Sequence, residues 1–167
     1  MPNIEFRQLT PDFYAEHQHL VEIIDKGKDG KITNKGRGYG VLLVDVYGYK
    51  FAIPLRSRMH INHTDNFTTK IYRYNGKRVR HGLDYSKAVI ITEMRFVSKA
   101  PFFLADKSDF VKISKSEHII IAAFEKYVTR YIRAVQKEDK NILRRYKYST
   151  LQNYHRELGL IKQESNL

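Results

Sequence analysis

The stretch from Tyr39 to His63, YGVLLVDVYGYKFAIPLRSRMHINH, limits the fold more than any other part of this chain. Val41 to Val46 and Tyr49 to Leu55 are rich in β-branched and aromatic residues, which predicts two strands. Tyr47-Gly48 between them is a tight turn, so the strands pair as a hairpin. Val41-Leu42-Leu43-Val44 is apolar without alternation, the pattern of a central strand covered on both faces. Pro54 has no N–H to give a central ladder, so the sheet is expected to release the chain there, just before Arg56. Arg56-Ser57-Arg58, His60 and His63 would then gather at one strand end.

The remaining signals surround this hairpin with further strands and with helices. Ile4 to Gln8 reads as a short strand. Thr10-Pro11-Asp12 starts a helix with a cap, a proline at the first position and an early acid. Phe13, His17, Leu20, Val21 and Ile24 form its apolar side, and Lys26-Gly27 ends it. Residues 26–38 are a glycine- and lysine-rich loop without the Gly-Lys-Ser/Thr spacing of a phosphate loop. Thr68 to Tyr74 alternates as a strand, Asn75-Gly76 is a hairpin turn, and Ala88 to Thr92 is a core strand. Ser98 to Val111 reads as irregular.

Ser114-Lys115-Ser116-Glu117 is a capping box opening a long C-terminal helix. Ile120, Ala123, Phe124, Tyr127, Tyr131 and Val135 make its apolar stripe, with Lys126, Arg130, Arg133 and Lys137 largely outside it. A second box, Ser149 to Gln152, opens a short helix that Gly159 stops. Strand, helix, run of strands and run of helices predict an α+β fold, an antiparallel sheet with helices packed on it. At 167 residues the chain suits one domain, expected over residues 1–162, with 163–167 as a disordered tail.

Charge narrows the partner. Thirty Lys+Arg against 18 Asp+Glu leave a net +12, which favours phosphate-rich polymers through counterion release. Among 12 tyrosines, Tyr39 borders the basic loop and is best placed to stack an unpaired base; most of the others read as sheet packing. The absence of cysteine excludes disulfides, thiolate zinc sites and a cysteine nucleophile, and fits a reducing cytoplasm. MPNIEFRQL does not read as a signal peptide, and no apolar run approaches the ~18 residues of a membrane span. A cytoplasmic protein without a membrane partner is expected.

The strand-end residues suit cleavage of RNA. Arg56 and Arg58 offer paired donors to phosphate oxygens, and the Ser57 hydroxyl can donate to a non-bridging oxygen. Histidines such as His60 and His63 titrate near neutrality, at an ordinary pKa of ~6.5. The 2′-hydroxyl of RNA is its own nucleophile. The protein need only take its proton, stabilise the phosphorane and protonate the leaving oxygen. His60 and His63 lack a third ligand, so neither a metal nor another cofactor is expected. No Gly-x-Ser-x-Gly elbow surrounds Ser57. Charge and aromatics alone also fit a non-catalytic basic RNA-binding module.

A basic loop entering Gly-Val-Leu-Leu, a strand GYKFAIPLRS ending in serine, the segment GLDYSK before a hydrophobic strand and a long late helix together resemble the toxins of type III toxin–antitoxin systems, the ToxN/AbiQ superfamily. HINH and GLDYSK are most similar to its TenpN branch. The likeness spans roughly Phe6 to Gly159 and is most specific from Gly40 to Ser57. It implies a twisted antiparallel sheet flanked by helices, as in the Kid/MazF toxins. It also implies metal-independent, sequence-preferring endoribonuclease activity that leaves 2′,3′-cyclic phosphates on cellular or phage RNA. The inhibitor implied is a small repeat-derived RNA pseudoknot, which the toxin processes and binds in a closed complex, and activation would arrest growth or abort phage infection. On this resemblance Ser57 is the family's serine, Arg56 stands at the position before it, and Met59 replaces the lysine two places after, leaving Arg58 or His60 to supply charge or a proton. The first-helix aromatic falls on Phe13 or Tyr14, with Tyr14 preferred for its hydroxyl. The basic position before the first long strand falls on Lys35 or Arg37, and Lys87 matches the basic residue of the Gly-Leu segment. Tyr14, Lys35, Arg37, Tyr39, Asn62, His63 and Lys87 are the expected RNA contacts.

Overall fold

A computed structural model describes residues 5–24 and 40–161. The six strands of the described residues are β1 (Phe6–Arg7), β2 (Val41–Val46), β3 (Tyr49–His60), β4 (Asn66–Tyr74), β5 (Lys77–Asp84) and β6 (Val89–Ile91). They pair antiparallel in the order β1-β2-β3-β5-β4, with β6 also on β3. Four helices accompany them: α1 (Pro11–Glu16), α2 (Lys107–Lys115), α3 (Glu117–Gln136) and α4 (Lys140–Arg144). The α+β class expected from the element order is therefore observed.

Both expected turns have the backbone that tight hairpins require. Tyr47 and Gly48 have φ of 54° and 76°, and Asn75 and Gly76 have 49° and 76°. Two successive positive values match the twist of the paired strands. Their cost falls on residues that tolerate the left-handed region, apart from Tyr47.

Pro54 does not release the chain. β3 continues to His60 and is the axis of the sheet. On one edge it pairs with β2 as far as Val41 opposite Pro54. On the other edge β6 ends at Val89 opposite Ala52, and β5 begins with Leu83 opposite Leu55. A 3-10 helix, Tyr85–Lys87, separates the two partners. The Leu55 amide donates to Gly40 on the β2 side at 2.8 Å. Successive residues of a strand aim their N–H groups at opposite edges, so the missing N–H of Pro54 faces the gap beside that 3-10 helix. No ladder bond is lost, and a central strand accommodates the proline.

α2 and α3 cover the face that carries Phe6, Leu42, Phe51 and Ile53. Phe124 of α3 meets Phe51 edge-on at 5.1 Å, and Phe110 of α2 lies 6.2 Å from Phe6. Ala52 and Pro54 alternate to the opposite face, where they line a cleft with Tyr14 of α1. The C-terminal segment closes the core with Leu151 and Tyr154, whose hydroxyl accepts from the Ile90 amide at 3.1 Å.

Several helix boundaries differ from those the sequence suggests. The segment from Ser98 was expected to stay irregular to Val111, but α2 begins at Lys107, where Asp106 accepts from the Ser108 amide at 2.9 Å. Ser114 therefore lies inside α2, and its buried hydroxyl has no hydrogen-bond partner among the described residues. Ser116 is the joint between α2 and α3. α3 runs for 20 residues but is not the C-terminal element that was expected: α4 and a 3-10 helix, Thr150–Asn153, follow it. Ser149 caps that 3-10 helix by accepting from the Leu151 amide. α1 stops at Glu16, short of Ile24; Thr10 does not cap it and donates instead to the Arg95 carbonyl. The basic loop of residues 26–38 and the tail 163–167 lie outside the described residues. Among those described, no helix is long and apolar enough to cross a membrane.

Candidate active site

Two bulges meet at His81. On β3, Arg56 pairs with Gly82 and Met59 with Arg80, so Ser57 and Arg58 share the single residue His81. On β4, Thr68 pairs with Gly82 and Lys70 with His81, leaving Thr69 unpaired. Arg58 takes up the kink in β3 with a φ of 62°. Gly82 permits the kink in β4: a Cβ there would sit 1.9 Å from the Phe67 carbonyl oxygen. The outcome is a row across three adjacent strands, with Ser57 on β3, His81 on β5 and Lys70 on β4. These side chains line a cleft of about 250 Å³ roofed by Asp106 and Asp109 at the start of α2.

The acids fix the bases. Asp109 is 4% exposed, and its Oδ2 lies 3.2 Å from His81 Nε2 and 3.5 Å from Lys70 Nζ. Lys70 also donates to Asp106 at 2.9 Å. That bond raises the lysine's pKa, so Lys70 stays cationic. Burial lowers the pKa of His81 despite the nearby Asp109 carboxylate, so the imidazole is neutral at pH 7. Lys112 of α2 donates to the carbonyl of the unpaired Thr69 at 2.8 Å and ties the roof to the bulge. The cleft thus combines a hydroxyl, an oriented neutral imidazole and a fixed ammonium. This set can bind a phosphodiester and move protons at it.

Arg56 is not in this cleft. It turns to the other face and donates to Asp84 at 2.5 Å, while His63 Nε2 lies 2.8 Å from the second Asp84 oxygen. The Ser86 amide and hydroxyl donate to the same oxygen at 3.0 and 2.6 Å. Asp84 is fully buried. Burial alone would raise its pKa, but the bonds and charges of His63, Arg56 and Ser86 prevail and bring it down to about 2. This clamp holds the end of β5 to β3 and to the turn after it.

The other residues expected at the site disperse. Ser57, Arg58 and His60 are exposed, and Met59 is buried at 2%. The bulge returns His60 to the Ser57 face; its Nδ1 accepts from the Asn62 amide at 3.1 Å, and Asn62 itself is exposed. Arg58 stacks on Tyr74 at 4.4 Å and donates to its hydroxyl at 3.1 Å. Lys87 is ion-paired with Glu22 at 3.2 Å and donates to the Tyr148 carbonyl; with Tyr14 it lines a separate cleft of about 20 Å³. Lys35, Arg37 and Tyr39 lie outside the described residues.

Lys70, His81, Asp84, Asp106 and Asp109 do not stand out as site residues in the sequence. The visible signal is Asp106-x-Ser108-Asp109, a helix start with an acid in its first turn. Comparisons with protein-family models, with curated proteins and with solved structures returned no match.

Proposed function

We propose that this protein is a metal-independent endoribonuclease that cuts RNA in the Ser57–His81–Lys70 cleft. One observation carries the reading: an imidazole held by a buried carboxylate stands in line with an exposed serine and a fixed lysine. With Nε2 facing the Asp109 carboxylate at 3.2 Å, His81 in its Nε2–H tautomer keeps a lone pair on Nδ1. That nitrogen takes the proton of the RNA 2′-hydroxyl as the oxygen bonds to phosphorus. Ser57 donates to a non-bridging oxygen. Lys70 balances the charge of the phosphorane and gives a proton to the 5′-oxygen as its bond to phosphorus breaks. The products are a 2′,3′-cyclic phosphate and a 5′-hydroxyl. His60 lies one row along the same face, ~7 Å away at two residues of strand, and its Nε2 proton suits a flanking phosphate.

The resemblance to type III toxins extends this reading. The chain would be a cytoplasmic toxin of Kid/MazF-like fold, held inactive in a closed complex with a pseudoknot RNA that it processes. Lys70, two strands from Ser57, replaces the cation that the family places at the position of Met59.

Purified protein incubated with RNA in EDTA tests the proposal. Defined fragments with cyclic-phosphate ends, lost in Ser57→Ala and His81→Gln, are expected. Binding without cleavage would overturn the enzyme reading in favour of a binding module.

A further inference from the structure

A groove of about 580 Å³ lies between α3 and α4, away from the cleft. Lys126, Arg130, Arg133 and Lys137 line it. Their spacing of four, three and four residues puts them on one helix face over ~16 Å. Among the described residues none of the four is in an ion pair. Two acids share the groove, but Asp139 already accepts from the Asn141 and Ile142 amides as the cap of α4. Four cations against Glu125 and Asp139 leave the groove a net charge of +2. Tyr47, 48% exposed in the β2–β3 turn, rests its hydroxyl on Thr129, a lining residue.

We infer that this groove is a second RNA-binding surface, which holds the backbone of a single strand whose cut site lies in the cleft. The inference rests on the proposed function and deepens it by giving the substrate a distant anchor. A ladder of cations beside an exposed aromatic ring suits a polymer of phosphates and bases. An acidic peptide would use the charges but not Tyr47. The Tyr47–Thr129 contact fixes the groove at the turn end of the hairpin. Ser57 is eight residues along β3 from Tyr49, ~26 Å in an extended strand. At ~3.4 Å per stacked nucleotide, about eight nucleotides join the two sites. Long RNAs therefore engage both, and very short ones engage one.

The test uses 2′-O-methyl RNA, which binds but lacks the attacking hydroxyl, so its result does not depend on whether the cleft cuts. The variant with Lys126, Arg130, Arg133 and Lys137 all changed to Gln should bind a 30-mer at least about tenfold more weakly at 150 mM salt, with a salt slope about 3 units shallower. Its affinity for a 4-mer should be unchanged. Tyr47→Ala should weaken the 30-mer while leaving binding of poly-glutamate unaltered. In the wild type, the 30-mer should protect Lys126 and Lys137 from acetylation. Wild-type affinity in the fourfold variant, or no protection of either lysine, overturns the inference. So does poly-glutamate displacing the 30-mer at equal charge, which would make the groove a site for acidic protein.

Discussion

Replacing Asp84 with asparagine should cost the fold about 3 kcal/mol at pH 7, and the loss should fade in acid. Asp84 is fully buried and takes bonds from Arg56, His63 and Ser86. At ~1.36 kcal/mol for each pH unit, the drop from 3.8 to about 2 makes its charged form worth ~2.5 kcal/mol more than its neutral form. Asparagine removes that charge and also turns an amide donor toward the Arg56 guanidinium or the Ser86 backbone amide, which can only donate. The loss should therefore exceed 2.5 and stay within the ~3–5 kcal/mol of a broken buried ion pair. The sign with pH follows from a lowered pKa. The stabilisation is complete above the unfolded value near 3.8 and disappears as pH falls toward 2. Urea titrations of wild type and variant at pH 7, 5, 3.5 and 2.5 measure this, provided the slopes agree. A difference below 0.5 kcal/mol at pH 7, or one that stays constant with pH, would refute the account of the clamp.

The remaining expectations concern the cleft and its scaffold. Gly82→Ala places a Cβ against the Phe67 carbonyl and the Thr68 backbone, so urea midpoints should show a loss of about 3 kcal/mol, the upper end for overpacking. Tyr154→Phe leaves the buried Ile90 amide without its acceptor and should cost ~1–3 kcal/mol in the same assay. Cleavage needs neutral His81, whose pKa lies below the ordinary 6.5, so the single-turnover rate should hold down to that pH and fall below it. An acid limb above pH 6.5 would remove His81 as the base.

What the sequence disclosed was local. Tyr47-Gly48 and Asn75-Gly76 announce their turns because two positive φ values in succession demand such residues. Ser57 was singled out as a strand-end hydroxyl, although it lies within β3, at the bulge. Its partners were not, because each row-mate is assigned by a bulge: shifting either strand by one residue would send Lys70 or Ser57 to the other face. Arg56 shows the same limit in reverse. Next to Ser57 in sequence, it points away from it, since neighbours on a strand alternate. Pro54 misleads because its missing N–H counts against a central strand only where the facing edge is paired, and here that edge is a gap. α2 was hidden by Pro101-Phe102-Phe103 just before it and by the brevity of the helix.

The most direct test of the central claim is the chemistry of the cut. Wild-type protein, incubated in EDTA with an unstructured RNA of defined sequence, should yield fragments whose upstream ends carry 2′,3′-cyclic phosphate and whose downstream ends carry a 5′-hydroxyl. His81→Gln and Lys70→Met should each slow this by at least about a hundredfold. Cleavage at wild-type rate in both variants, or 5′-phosphate ends in the wild type, would contradict a site built on Ser57, His81 and Lys70.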